Sequence, residues 1–302
     1  MTHVVFATAE PYGAYHLAAL DESAFVESGV TAQHWLPGAG PPQRPGWMPT
    51  LRAPDLPENT GLVVVTGGAR SAWTTAVART AAAAGVPVAY LEVGWPSDNG
   101  PFPVPIAAAG CAAPVSAGTV ESLTGCEPTV VGRPLPPPVT PGPEVLLLPI
   151  VSAEVPDGQR QLHRAAAALA AAGYVLRVAA HPREPDGLWD DVARDVTAEP
   201  KEHHFAGVRL VVGTPTTRMV DAVGLGLPVL RMLSGRRDID EHPMLSRLGA
   251  VTSPETVVAD AARAEPTDPR HTADVVGPRL DTAELLQWLL PRALPRRARA
   301  RG

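Results

Sequence analysis

The stretch Arg209–Leu230, RLVVGTPTTRMVDAVGLGLPVL, decides the fold. Arg209 to Val212 is a short apolar run of the kind that forms a strand buried on both faces. Gly213 then lets the chain turn closely, and Pro215 suits a helix start, where a missing N–H costs nothing. Thr216 to Leu225 has helical spacing, Gly226 and Pro228 end it, and Val229-Leu230 opens another strand. Strand, helix and strand in so short a span make a parallel βαβ unit.

The same logic extends in both directions. Val145 to Leu148 reads as a strand, residues 159–172 as a helix stopped by Gly173, and Tyr174 to Ala180 as the next strand. Residues 282–290, TAELLQWLL, read as a closing amphipathic helix. In the first half His3 to Ala7 is a strand, and Tyr12 to Val26 has helical spacing. Leu62 to Val65 is a strand stopped by Gly67-Gly68, residues 71–84 form a helix closed by Gly85, and Val86 to Leu91 is a strand interrupted only by Pro87. Between the halves stands GRPLPPPVTPGP, residues 132–143, with six prolines in twelve residues. Such a run is stiff and extended and reads as a connector. The expected architecture is α/β, with two Rossmann-like doubly wound domains facing across a cleft. Residues 1–132 form the first domain, 133–143 the Pro-rich linker and 144–302 the second.

Composition bounds the function. The 302 residues are 45% hydrophobic and 19% charged, with mean hydropathy +0.03, which excludes disorder, collagen and coiled coil. The net charge of −6 is unevenly placed: residues 1–131 carry 4 Lys+Arg against 10 Asp+Glu, and residues 132–302 carry 21 of each. Neither half is net positive, so a uniformly basic nucleic-acid binder is excluded. Lys201 is the one lysine beside 24 arginines, and the skew reads as GC-rich coding, suggesting an actinobacterial source. Cys111 and Cys126 are too few for a disulfide framework or a four-cysteine zinc site and are expected to be reduced thiols. The N-terminus lacks the pattern of a signal peptide, and no apolar run approaches the ~18 residues of a membrane span. A soluble cytoplasmic protein is expected, and the tail PRRARARG reads as a solvated basic end.

Three strand-end loops carry candidate chemistry. In Glu10-Pro11-Tyr12-Gly13-Ala14-Tyr15-His16, Gly13 permits close approach, and His16 titrates near neutrality and suits removal of a proton. A histidine packed on the sheet is the competing reading of His16. Tyr12, Gly13 and Gly68 are the candidate acceptor contacts at these strand ends. In His181-Pro182-Arg183-Glu184, His181 and Arg183 offer donors to an anion, the alternative being a surface ion pair of Arg183 with Glu184. The third loop is Gly213-Thr214-Pro215-Thr216-Thr217, where hydroxyls gather at a helix start whose N–H groups suit a diphosphate. One turn later Asp221 could accept hydrogen bonds from a ribose, and Arg231, Arg236 and Arg237 could meet a carboxylate, surface charge being the favoured reading of the last two.

Other motifs are absent or weak. The chain has no G-x-x-x-x-G-K-[ST], and no G-x-G-x-x-G opens a helix after the first strand. Asp238-Ile239-Asp240 has the form of a metal–diphosphate motif but lies in the charged run GRRDIDEH and reads as a solvated loop. Asp190-Asp191 are adjacent on a helix and do not face one ligand, and His203-His204 lack further ligands. No metal is expected.

With these residues in place, the chain resembles the GT-B superfamily of sugar-nucleotide glycosyltransferases and their epimerase relatives. Gly13, His16, Leu17 and Leu20 match its first-loop G-x-x-H-L-x-x-L motif, whose histidine is often the acceptor base. CEPTVVGRPLPP is similar to the segment ending the acceptor domain, and HPRE and VVGTPTTRMVDAVGLGLPVLRM resemble the donor half. There Asp221 stands where many members have a ribose-binding glutamate. GGARSAWTTAVARTAAAAGVPVAYLEVGWPS is similar to a stretch of the non-hydrolysing UDP-N-acetylglucosamine 2-epimerases, and Glu92 matches one of their catalytic acids. Ala69 replaces their catalytic aspartate, and Ile150-Val151-Ser152-Ala153-Glu154 stands where their His-Arg-Arg-Glu motif is expected.

The resemblance implies a metal-independent glycosyltransferase with a nucleoside-diphosphate sugar, UDP-linked, as co-substrate and no other cofactor. It implies His16 as general base, Glu10 or Glu92 orienting it or the acceptor, and His181, Arg183, Gly213, Thr214, Thr216, Thr217, Asp221 and Arg231 holding the donor. A chain this short suggests a small acceptor in an antibiotic or surface-glycan pathway. Cytosylglucuronate synthases, which join glucuronate to cytosine, are one such group. The alternatives are a UDP-sugar 2-epimerase and a non-catalytic subunit of a transferase complex. Neither a nucleic-acid partner nor a membrane is expected, and homo-oligomerisation stays open.

Overall fold

The computed structural model describes residues 2–8, 17, 20–37, 47–50, 55–66, 71–93, 100–149, 155–180, 187–192, 195–196 and 204–293. The chain divides into two compact units: residues up to Pro134 join the chain from Gly277 on, and Leu135–Val276 form the second.

The first unit is built on a parallel sheet of seven strands, in the order β3-β2-β1-β4-β5-β6-β7. The strands are β1 (Thr2–Thr8), β2 (Val30–Pro37), β3 (Trp47–Thr50), β4 (Thr60–Thr66), β5 (Val88–Leu91), β6 (Ala108–Cys111) and β7 (Thr129–Val130). Side chains alternate between faces along each strand. Val5, Ala7, Val63, Val65, Val88 and Tyr90 face one core with Val77, Ala78 and Ala81 of α2 (Ala72–Ala83) and Val120 and Leu123 of α3 (Ala117–Thr124). Val4, Phe6, Leu62, Val64, Ala89 and Leu91 face the other with Phe25 of α1 (Glu22–Glu27). Burial on both faces is what a parallel sheet requires, and it makes these strands continuous apolar runs.

The helical spacing from Tyr12 to Val26 does not produce one helix. Residues 9–16 and 18–19 lie outside the described residues, and a separate helix begins at Glu22. Asp21 sets that start: it is extended, at φ −78° and ψ 107°, and its side chain accepts from the Ser23 N–H. Strands β2, β3, β6 and β7 give no clear sequence signal. VTAQHWLP mixes polar and aromatic residues, and AAGC is too small to show periodicity.

The second unit carries a six-stranded parallel sheet, in the order β10-β9-β8-β11-β12-β13. Its strands are β8 (Glu144–Leu148), β9 (Val175–Val178), β10 (Asp195–Val196), β11 (Val208–Gly213), β12 (Val229–Met232) and β13 (Ala250–Thr252). Val145, Leu147, Val178, Leu210, Val212, Leu230 and Met232 pack against Leu162, Ala165, Ala166 and Leu169 of α4 (Pro156–Ala171) and against Val257 and Ala261 of α7 (Val257–Arg263). Helix α5 (Thr217–Gly224) packs on β11 and β12 with Met219, Val220 and Val223 buried. The short α6 (Arg237–Asp240) follows β12, and α8 (Pro269–Val275) closes the unit.

The boundaries differ from the sequence reading in two places. Arg133 is part of the first unit: its N–H donates to Pro278 O at 3.1 Å, and its carbonyl accepts from Leu280 N at 2.9 Å. From Leu135 the Pro-rich run belongs to the second unit. The C-terminal helix α9 (Thr282–Ala293) belongs to the first unit, where Leu285, Leu286, Trp288 and Leu289 pack into the core of Val4, Phe6 and Val64. An amphipathic pattern shows that a helix has an apolar face but not which sheet receives it.

Two predictions follow from this packing. Leu285→Ala should destabilise the first unit by about 2–5 kcal/mol, while the unfolding of the second stays in place in urea titrations. His34 on β2 is 3% exposed and stacks on Phe6, with ring centroids 5.1 Å apart. Burial pushes its pKa down to about 4. As pH falls below about 6.5 the unfolded chain therefore takes up a proton that the folded one refuses, until His34 also protonates near 4. Stability should fall by about 3 kcal/mol across that window, and His34→Phe should remove most of the loss.

Candidate functional site

Both sheets reverse their strand order, between β1 and β4 in the first unit and between β8 and β11 in the second. Ligands of open parallel sheets bind outside the carboxyl ends of the strands at such a reversal, because the loops there diverge and leave a crevice.

In the second unit β8 and β11 end side by side, with Leu148 paired to Gly213. A Cβ on Gly213 would lie 2.4 Å from Leu148 O, so a side chain there would force the strands apart. Helix α4 starts just beyond β8, and its N-cap residue is Val155, which has no polar atom to cap with. Helix α5 starts just beyond β11. Its N-cap Thr216 is extended, at φ −141° and ψ 160°, and makes no side-chain cap, while its Oγ1 is buried without a partner. A Cβ on Gly158, in the first turn of α4, would lie 3.0 Å from Ser234 Cα and 3.1 Å from Thr214 Cγ2. The segments leaving β8, β11 and β12 therefore meet at one place. Two helix starts without side-chain caps present N–H groups and the positive ends of their dipoles there, which is the local chemistry of an anion site.

Gly213, Thr214, Thr216 and Thr217 lie together in this loop, and Asp221 follows on α5, 2% exposed. Arg231 is the β12 register partner of Gly213 and is 5% exposed. Its Nη2 donates to Ser246 O at 3.1 Å, while Nε and Nη1 have no hydrogen-bond partner. Burial lowers the Arg231 pKa against the opposing pull of Asp240. The Asp240 carboxylate accepts from the N–H groups of Ser234 at 2.8 Å and Gly235 at 3.0 Å and so ties down the loop after β12. Asp238 is paired with Arg236. The DID run is thus a short helix rather than a loop, exposed as expected at Arg236–Asp238, with partners for both carboxylates. Arg218 donates from Nη1 to Ala179 O at 2.9 Å, fixing α5 to the end of β9. His181 and Arg183 lie outside the described residues.

In the first unit β1 and β4 end at Thr8 and Thr66, which are register partners joined by a 2.6 Å hydrogen bond from Thr66 Oγ1 to Thr8 Oγ1. Both are buried. The segments that follow them hold Glu10, Tyr12, Gly13, His16 and Gly68, and all five lie outside the described residues. Sequence reading passes over Thr8, Thr66, Gly158 and Ser234. A register argument that two buried strands end together could have found the threonines.

Glu92, just past β5, is 1% exposed. Its Oε2 accepts from the Ala112 N–H at 2.8 Å and from Ser116 Oγ at 2.5 Å, and its Oε1 lies 4.0 Å from Arg133 Nη2. Burial raises its pKa, with Arg133 chief among the groups pulling the other way. Neighbouring Cys111 is buried and reduced, and burial pushes its thiol up to about 11, out of reach as a nucleophile near neutrality. The Glu92–Arg133 pair joins the end of β5 to the last segment before the chain leaves the unit. Glu92→Gln removes the carboxylate charge beside buried Arg133 and should destabilise the first unit by about 1–3 kcal/mol in chemical denaturation.

No family model and no curated protein matches the sequence. Solved structures do match it along the whole chain. The glycotransferase of kitacinnamycin superposes with TM-score 0.62 at 11% identity, covering 97% of this chain and 99% of that one. UDP-GlcNAc 2-epimerase from Neisseria meningitidis bound to UDP-GlcNAc gives 0.64 at 11%, covering 96% and 100%. The calicheamicin glycosyltransferase CalG4 gives 0.59 at 14%, covering 98% and 100%. Two parallel sheets with reversed strand order, matched over their full length to these proteins, show that the chain has the GT-B fold shared by glycosyltransferases and UDP-GlcNAc 2-epimerases.

Proposed function

We propose that the protein is a glycosyltransferase that moves a sugar from a nucleoside-diphosphate donor, UDP-linked, to a small acceptor. The observation that carries this reading is the pair of helix starts without side-chain caps at the β8–β11 reversal, backed by buried Arg231. The donor diphosphate is held there by N–H groups of α4 and α5, with Thr214, Thr216 and Thr217 beside it and Asp221 placed for the ribose. His181 and Arg183 complete the cationic side. These groups stabilise charge on the leaving UDP as the bond from sugar C1 to phosphate oxygen breaks. Asp238 and Asp240 are engaged by Arg236 and by backbone N–H groups, which supports transfer without a metal.

The acceptor binds the first unit at Tyr12, Gly13 and Gly68. His16 takes the acceptor proton as the new bond to C1 forms, and Glu10 orients it. Glu92, held by Ala112, Ser116 and Arg133, acts as a positioning group rather than touching the acceptor. Counted with its C-terminal segment, the first unit carries 11 Lys+Arg against 12 Asp+Glu, a near-neutral balance that suits an uncharged acceptor such as a nucleobase. Transfer of glucuronate to cytosine is one reaction of this class. The second reading is a 2-epimerase, supported by the equally complete match to those enzymes. Ala69 in place of their aspartate, and the absence of their His-Arg-Arg-Glu motif, favour transfer.

Incubation with UDP-sugars, with and without cytosine and simple amines, separates the two by chromatography. Transfer gives UDP and a new glycoside only when acceptor is present. A second UDP-sugar formed from donor alone establishes the epimerase and overturns transfer. His16→Ala should lower turnover about 100-fold while leaving donor affinity unchanged.

A further inference from the structure

Helix α4 begins with an unusual side chain. Gln159 lies in its opening turns and is 7% exposed, yet neither Oε1 nor Nε2 has a hydrogen-bond partner. It occupies the buried stripe that continues as Leu162, Ala166 and Leu169, so an apolar residue would be the ordinary occupant. The next residue toward the helix start is Gly158, which packs against Thr214 and Ser234. Side chains on a helix lean back toward its N-terminus, so Gln159 leans over the opening turn of α4, the turn that holds Gly158. A buried amide with an open donor and an open acceptor is costly and is retained where a ligand completes it.

We infer that Gln159 is a specificity-determining residue that hydrogen-bonds the transferred sugar of the donor through both amide atoms. The inference rests on the reading of the second unit as the donor site. The chemistry selects the sugar. Phosphate oxygens at neutral pH chiefly accept, which suits the N–H groups but leaves an amide oxygen unmatched. Sugar hydroxyls donate and accept, and so match Oε1 and Nε2 together. In a nucleoside-diphosphate sugar each phosphate is bonded directly to a sugar, while the base lies one unit further away. A group beside the phosphate-binding turn therefore meets a sugar. In the proposed donor site Asp221 on α5 takes the ribose, which leaves the side of α4 to the transferred sugar.

The test compares binding of UDP with that of UDP-glucose, UDP-N-acetylglucosamine and UDP-glucuronic acid by calorimetry, in the wild type and in Gln159→Leu. The best-bound UDP-sugar should lose about 10-fold or more in affinity, while UDP changes less than twofold. The variant should melt at the same or a higher temperature, because it removes an amide that is unsatisfied without ligand. Equal weakening of UDP and UDP-sugar together with a lower melting temperature would mark Gln159 as structural and overturn the assignment. Unchanged UDP-sugar affinity in the variant overturns it as well. A wild type that binds none of the four ligands overturns the donor-site reading, and the Gln159 assignment falls with it.

Discussion

A parallel sheet delivers every strand to the same edge, and the helices that follow must start there. Each start leaves N–H groups without intrahelical partners. A serine, threonine or aspartate side chain can satisfy one of them, as Ser71 and Asp21 do for α2 and α1. Helices α3, α4, α5, α6 and α7 have no such cap, and of these α4 and α5 follow the two strands between which their sheet reverses order. The rest of the second unit is arranged around that debt of donors. Gly213 and Gly158 bring the backbones close, and Asp240 holds the loop after β12 in position.

Magnitudes show why helix starts alone do not suffice. Each dipole is worth roughly 0.3–1 kcal/mol when exposed and up to ~2 when partly buried. Micromolar binding needs about 8 kcal/mol. Hydrogen bonds to charged groups, at about 1.5–3 kcal/mol each, close most of that gap. The second unit as a whole carries 14 Lys+Arg against 19 Asp+Glu, so any such cation must be placed locally, and Arg231 is set deep in the sheet beside this turn. The first unit's buried ion pair, Glu92 with Arg133, is tied to backbone and hydroxyl and holds the unit together where the chain departs.

Much of this was legible in the sequence, and the failures have physical causes. The βαβ reading of Arg209–Leu230 and the glycine, threonines and aspartate within it are local, set by the strand-to-helix turn. Tertiary choices were not legible. Nothing in TAELLQWLL tells which sheet its apolar face will meet, and α9 packs on the first unit. The Pro-rich run was recognisable as non-helical, but not as surface packed mainly against the second unit. Gln159 reads as one more polar residue in a helix until its burial and unsatisfied amide are seen. Glu92 shows the converse: a motif drew attention to it, and the structure supplies three partners that account for its burial.

The central claim is that the second unit's strand reversal is a diphosphate site. Calorimetric affinities of uridine, UMP and UDP, measured at two salt concentrations, test it most directly. The account predicts affinity rising with each phosphate, with the UDP gain shrinking as salt increases. Equal affinity for uridine and UDP, or a gain indifferent to salt, would contradict it.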